Sequence, residues 1–381
     1  MVTLKKINVF IVSLVLACAV CAACSDGGGD ITLVETGFDE AASPGNKGII
    51  TVGSESVNMI LASSQSSITF PTGTDDSGNA TLSKEFFLAE AETTNTLMVI
   101  VLQWAYKNKR FSETVSYSNG LDATTVKHGS QQLINLDDTG CRISYSDDNF
   151  VVESGYENHP VANVTWYGAV MFCNWLTEIR DGNADNVVYT GIDTDWLDNE
   201  TIEDDSRNGY RLTTSDEWEY AARYLGTTLP TTGGNLDIEY VALNHNDDGT
   251  GSLTEGYYWA PGDYASGATT FYNDVTGAPD YAGKTANDLV SVYCNYWDGD
   301  SWEDTGVSGT AVVKSKTANA LGLYDMGGNL WEWCYTADGA LRIFVGSCWA
   351  DNANYLQVGF MDKINPHNES GYTGFRFART Q

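Results

Sequence analysis

Residues 210–223 read YRLTTSDEWEYAAR, and their spacing specifies a helix that must lie on a core. Thr214 followed by Glu217 is a capping-box pair, in which a hydroxyl accepts the N3 backbone N–H and a carboxylate reaches back to the N-cap amide. Trp218, Ala221, Ala222 and Leu225 then recur at i, i+3, i+4 and i+7, one apolar stripe, and Gly226 supplies a C-terminal stop.

A second helix opens at Val164-Thr165, with Thr165 as N-cap and Trp166, Ala169, Val170, Cys173 and Leu176 on one face. A further helix falls within residues 89–106, although Thr93-Thr94-Asn95 leaves its start open. Residues 50–82 read as short strands with turns at Gly53 and at Ser77-Gly78-Asn79. Asp193–Asn208, Leu229–Tyr281 and Tyr293–Gly309 are loop-like, and loops this long cover a site or pack by their own aromatics, here including Trp297 and Trp302. No repeat and no shift of composition divides the chain after its N-terminal region. The expectation is one α+β domain over residues 49–381, with few helices, twisted antiparallel strands and much irregular structure.

Composition narrows the functions. Hydrophobic residues make up 42% and aromatics 12% of 381 residues, enough for a large core, and 38 Gly against 7 Pro suit many turns. With 20 basic and 51 acidic residues the net charge is −31, which repels phosphate backbones and excludes nucleic acid as a partner. Lys5-Lys6, the apolar run Ile7–Ala17 and the small residues with Cys18, Cys21 and Cys24 form a signal peptide over residues 1–23. Cys24, after Ala22-Ala23 and before SDGGGD, matches a lipoprotein acylation site, with Cys18 as the alternative. Residues 24–48, rich in Gly, Asp and Ser at their start, read as a flexible stalk. The expectation is an exported protein held to the membrane by acyl chains, at the cell envelope and on its outer surface. Cys141, Cys173, Cys294, Cys334 and Cys348 remain, an odd number that leaves a free thiol, and the 4 His include no i, i+4 zinc pair.

Four blocks, in order, carry a resemblance: HPVANVTWYGAVMFCNWLTE at 159–178, YRLTTSDEWEYAAR at 210–223, ALGLYDMGGNLWEW at 320–333 and GFRFAR at 374–379. Weaker echoes lie at Phe70–Thr74 and Glu90–Asn95. Together they resemble the formylglycine-generating-enzyme (sulfatase-modifying factor) family, which implies a C-type-lectin-like fold. Trp166, Trp175, Trp218, Trp331 and Trp333 read as packing residues of that scaffold. Glu332, between two tryptophans, must be paired, protonated or bound to a cation. The resemblance implies Ca²⁺ held by Gly328, Leu330 and Glu332; the other reading is that Glu332 accepts backbone N–H bonds without metal. No cofactor is required by either.

Enzymes of this family oxidise a substrate cysteine with two cysteines of their own, five residues apart, after a GGS-type turn. Here the turn is Gly346-Ser347-Cys348-Trp349, and the two positions fall on Asp351 and Leu356, or on Ala350 and Tyr355 one register away. Neither register places a thiol, so catalysis is not expected, and an oxidase or maturation factor with an unknown substrate is the second reading. A non-catalytic branch resembles the chain better: variable proteins diversified by retroelements, of the treponemal type, whose C-terminal segment alternates fixed with varied residues. That resemblance implies a variable region over residues 342–376, with a ligand-binding face of Phe344, Cys348, Ala350, Asp351, Asn352, Asn354, Tyr355, Phe360, Asp362, His367, Asn368, Gly371 and Tyr372. Aromatic anchors among short polar groups suit recognition of a protein or other ligand at small entropic cost. Arg342, Trp349, Asn365-Pro366 and the strand from Gly374 to Arg379 would hold that face still. A carbohydrate-binding lectin is a third possibility without its usual mark, since no EPN- or QPD-type calcium–sugar motif is present.

Overall fold

The computed structural model describes residues 31–38, 42–65, 67–110, 116–118, 122–128, 131–192, 202–204, 206–227, 231–232, 235–236, 257–269 and 281–381. The signal peptide and both acylation candidates, Cys24 and Cys18, lie outside them. In chain order the elements that shape the site begin with β1 (Leu33–Thr36), β2 (Lys47–Val52), β3 (Glu55–Ser63), β4 (Phe86–Ala89), α1 (Asn95–Lys107) and α2 (Trp166–Asp181). They continue with β5 (Tyr210–Leu212), α3 (Ser215–Arg223), α4 (Tyr281–Val290), β6 (Asn295–Trp297) and β7 (Trp302–Asp304). The C-terminal part holds β8 (Trp331–Asp338), β9 (Leu341–Val345), β10 (Met361–Ile364), β11 (Thr373–Gly374) and β12 (Phe377–Thr380).

A six-stranded sheet runs in the order β1-β2-β3-β4-β12-β5, antiparallel throughout. Alternate residues face opposite sides of it. Met59, Leu61, Phe87 and Phe377 join the core under α1 and α2, while Ile60, Ala62, Phe86 and Ala378 join the core under α3. Both faces are therefore covered over β4 and β5, which are buried along their length, whereas β1 and β2 alternate and leave Val34 and Ile49 exposed. A second sheet, β10-β9-β8-β11, carries the C-terminal segment; its β8–β11 pair is parallel.

The helices follow their caps. Thr214 Oγ1 accepts from Glu217 N while the Glu217 carboxylate accepts from Thr214 N, so the capping box of α3 is complete. Thr165 accepts from Gly168 N and opens α2. Thr94 caps α1 by accepting from Leu97 N. Gly168 has no room for a side chain, since a Cβ there would lie 2.1 Å from the carbonyl oxygen of Leu133.

Three expectations are corrected. The stretch 24–48 is not all stalk: Leu33–Thr36 pairs with Ile49–Val52 at the sheet edge, where Leu33 reaches the core. The α3 helix ends at Arg223, before Gly226, because Tyr224–Gly226 turns out to pair with Tyr258–Trp259. The turn placed at Ser77-Gly78-Asn79 comes earlier, since Gly78 already pairs with Thr72. The helix α4 had no expectation behind it; Ala286 and Val290 mark its buried side.

Candidate functional site

The site rests on a buried ion pair. Trp331 and Trp333 of β8 are core residues, and Glu332 between them is 1% exposed. Arg376 meets it side-on, Nε to Oε2 at 2.6 Å and Nη2 to Oε1 at 2.5 Å, and the Trp218 indole N–H donates to Oε2 at 2.8 Å. A bidentate guanidinium with a third donor is the arrangement that makes a buried carboxylate tolerable. Two further acids lie near. Leu330 N and Asn329 Nδ2 donate to Glu92, at 2.9 and 2.6 Å. Burial and the charges of Asp325 and Glu332 push the Glu92 carboxyl well above the usual range. Asp325 accepts from Lys314 N at 2.7 Å through Oδ2, and its Oδ1 has no partner; burial pushes it up to about 6.

This corrects the calcium expectation. Gly328, Leu330 and Glu332 offer one carboxylate, both of whose oxygens already accept hydrogen bonds from Arg376 or Trp218. The charge that a cation would neutralise at Glu332 is neutralised by Arg376, which leaves the trio only the backbone carbonyls of Gly328 and Leu330, fewer oxygens than a resident Ca²⁺ takes. The partner is a side chain from the GFRFAR block, and not backbone N–H groups.

Beyond β9 the chain makes a tight turn at Gly346 (φ 93°) and Ser347 (φ 68°). Asp351 closes it, accepting from Cys348 N at 3.1 Å and Ser347 Oγ at 3.2 Å. A 3-10 turn follows at Ala353–Tyr355. Val358 N then donates to Tyr264 O and Gly359 N to Gly262 O, at 2.8 and 2.9 Å. Ala353, Leu356 and Val358 point inward. The small-polar run is thus a fixed piece of backbone pinned by its apolar members.

On this frame Ala350, Asp351, Asn352, Asn354, Tyr355, Phe360 and Gly371 are half-buried, and Asp362, His367, Asn368 and Tyr372 are exposed. Tyr355 and Phe360 stack edge-on at 5.2 Å between centroids, Phe360 lies 6.1 Å from Trp331, and Trp331 lies 4.7 Å from Phe344. This row of rings ties the face to the core. Trp349 stacks behind Tyr372 at 5.4 Å and donates its indole N–H to Gly371 O at 3.2 Å; His367 packs on Tyr167 at 4.9 Å. Arg342 lies over Trp166 at 3.9 Å and donates to Tyr335 O at 2.8 Å. Trp166 N donates to Pro366 O at 3.1 Å.

Two residues expected on the face are not there. Phe344 packs against Trp331 and Trp333 and belongs to the core, because β9 is covered on both sides. Cys348 is 2% exposed, and burial pushes its thiol far above the ordinary thiol range. Cys173 and Cys334 are likewise buried and shifted upward, and all five described cysteines are free thiols. Thiolate chemistry needs an accessible, acidified thiol, and Cys173, Cys334 and Cys348 are the opposite.

Sequence reasoning missed a cleft beside the face. It has a volume of about 470 Å³ and is lined by Asp138, Arg142, Thr310, Trp349, Glu369 and Tyr372, among others. Its walls come from segments far apart in sequence: Trp349, Gly371 and Tyr372 were expected at or under the face, whereas Asp138, whose Oδ1 accepts from Gly140 N at 2.7 Å, Arg142 and Glu369 had no expectation behind them.

The comparisons agree with this scaffold. The sulfatase-modifying factor enzyme 1-like domain matches residues 62–381. A chaperone protein, LppX, of Paenibacillus barcinonensis is 26% identical over 245 residues, 59% of this chain and 71% of that protein. The formylglycine-generating enzyme of Streptomyces coelicolor is 26% identical over 251 residues, 59% of this chain and 54% of the enzyme, so the chain spans about half of that relative's length. Among solved structures, Treponema denticola variable protein 1 superposes with a TM-score of 0.51 at 23% identity, over 87% of this chain and 98% of the other, a likeness of fold.

Proposed function

This chain belongs to the sulfatase-modifying factor enzyme 1-like family, and we propose that it works there as a ligand-binding protein and not as an oxidase. The observation that carries the reading is the division of labour along residues 350–372. Apolar members, backbone hydrogen bonds and the turn-closing carboxylate of Asp351 fix the segment, while the other short polar and aromatic side chains are half-buried or exposed on it. Such a surface can change its exposed residues without changing its frame. The recognition set is Ala350, Asp351, Asn352, Asn354, Tyr355, Phe360, Asp362, His367, Asn368, Gly371 and Tyr372. By the resemblance, the cysteine positions of the oxidising members fall on Asp351 and Leu356 or on Ala350 and Tyr355, and none of the four is a thiol. We infer further that retroelement mutagenesis diversifies these positions, and that an acyl group on Cys24 displays the domain at the outer surface of the envelope, where it meets a protein or other ligand.

Sequencing the gene from several isolates tests the diversification. Substitutions concentrated at the named positions, with Leu356, Val358 and Arg342 unchanged, are expected; changes spread evenly over the domain would remove the variable face. Incubating the protein with copper and a cysteine-containing peptide is expected to yield no formylglycine above a control with copper alone, read by mass spectrometry.

A further inference from the structure

We propose that the cleft beside Tyr372 binds a neutral saccharide of one or two sugar units, without a metal. The inference rests on the recognition reading and gives its face a fixed pocket and a ligand class. The volume, about 470 Å³, lies in the range of small-molecule sites. Its floor is small: Gly140 and Gly371 approach so closely that a Cβ on Gly140 would lie 2.9 Å from the Gly371 Cα.

Its polar groups are held by one atom and leave another unclaimed. Asp138 spends Oδ1 on Gly140 N and has Oδ2 left. Glu369 spends Oε1 on Gln132 Nε2 at 2.8 Å and Asn135 Nδ2 at 3.4 Å, and has Oε2 left. Arg142 donates from Nη1 to Glu153 at 2.9 Å, its guanidinium lies 4.1 Å over the Tyr156 ring, and Nε and Nη2 are left. Ser308 adds a hydroxyl, and Thr310 adds one that also pairs with His159 Nδ1 at 3.0 Å. A preorganised set of donors and acceptors fits a ligand whose every group is both, which describes a polyol. Two carboxylates against one guanidinium already paired with Glu153 disfavour an anion, and the polar walls disfavour an apolar ligand.

The aromatic element completes the case. Tyr372 is 46% exposed and packs against Trp349 with the ring planes 42° apart, and both rings line the cleft. A flat ring offers area for the C–H face of a sugar at little entropic cost. Because Tyr372 and Gly371 belong to the variable set and Asp138, Arg142 and Glu369 do not, variation would retune which sugar is accepted while its hydroxyls keep the same partners.

The test is a glycan array probed with the purified full-length chain in physiological salt and EDTA, with each hit titrated as free sugar by calorimetry. Neutral saccharides are expected to bind. Tyr372→Ala, Glu369→Gln and Arg142→Met should each weaken binding by about tenfold, the scale of one well-placed contact, and Lys107→Gln, outside the cleft, should not. Thermal melts of each variant establish that it is folded. A blank array, hits confined to acidic sugars, binding lost in EDTA, displacement by a cationic peptide, or hits indifferent to all three substitutions would each overturn the proposal. A blank array alongside isolate variation concentrated on the face would reject the saccharide and keep the recognition reading; scattered variation would reject the reading whatever the array shows.

Discussion

Arg376 and Glu332, 44 residues apart, form a two-pronged ion pair that is almost completely dry, with side-chain exposures of 0% and 1%. It joins the stretch after β11 to β8 and so couples the closing segment to the sheet that carries the candidate face. Arg376→Met would strand Glu332 beside Asp325 and Glu92. We expect a loss of about 3–5 kcal/mol in urea unfolding, the cost of leaving one buried charge uncompensated. The double variant Arg376→Met/Glu332→Gln should recover part of that loss; equal loss in single and double variants would show that packing, not charge, is at stake.

Asp325 gives a pH signature. Its pKa, raised from 3.8 to about 6 by burial, lies above its unfolded value. Its favourable contribution is therefore complete below about pH 4 and is lost as the pH rises through 6. Asp325→Asn keeps an acceptor for Lys314 N and suits the positive φ of 55°. The variant should be more stable than the parent at pH 8, on the order of 2 kcal/mol, with the gain vanishing near pH 4. Melting curves at both pH values, with and without EDTA, check this; destabilisation at pH 8 that calcium reverses in the parent would place a metal at Asp325.

Cys348 should be silent towards a thiol reagent in the folded protein and react once urea is added, because the thiol is buried and pushed upward by desolvation. Cys173 and Cys334 should behave the same way. Rapid labelling of Cys348 under native conditions would restore a redox role to the turn.

Thr214→Ala removes the hydroxyl that accepts from Glu217 N at 3.2 Å. The expected cost is about 1 kcal/mol, read as a lower midpoint in urea with an unchanged slope. Thr214→Ser should restore most of it, since the box needs the hydroxyl and not the methyl.

The features legible in the sequence are those whose cause is local. Thr214 with Glu217, and Thr165 before Trp166, state their caps within four residues. Where the cause is distant, sequence reasoning fell short. Nothing near Glu332 announces Arg376, and nothing in GFRFAR announces which of its basic residues is buried. LRIFV at 341–345 shows no alternation because β9 is covered on both sides, so Phe344 could not be told from a face residue. Leu33–Thr36 reads as linker until its partner Ile49–Val52 is known. The cleft of Asp138, Arg142 and Glu369 exists only through the meeting of remote loops, and no spacing encodes it.

The strand β12 follows the varied segment in the chain yet lies inside the six-stranded sheet, between β4 and β5. Every frameshift or premature stop introduced between Ala350 and Tyr372 would therefore delete an interior strand along with Arg376. Errors of that kind cannot yield a folded product with an altered surface; they yield no product. If the proposed diversification acts on this segment, the architecture would serve as its proofreader, letting through only the substitutions that leave the reading frame intact.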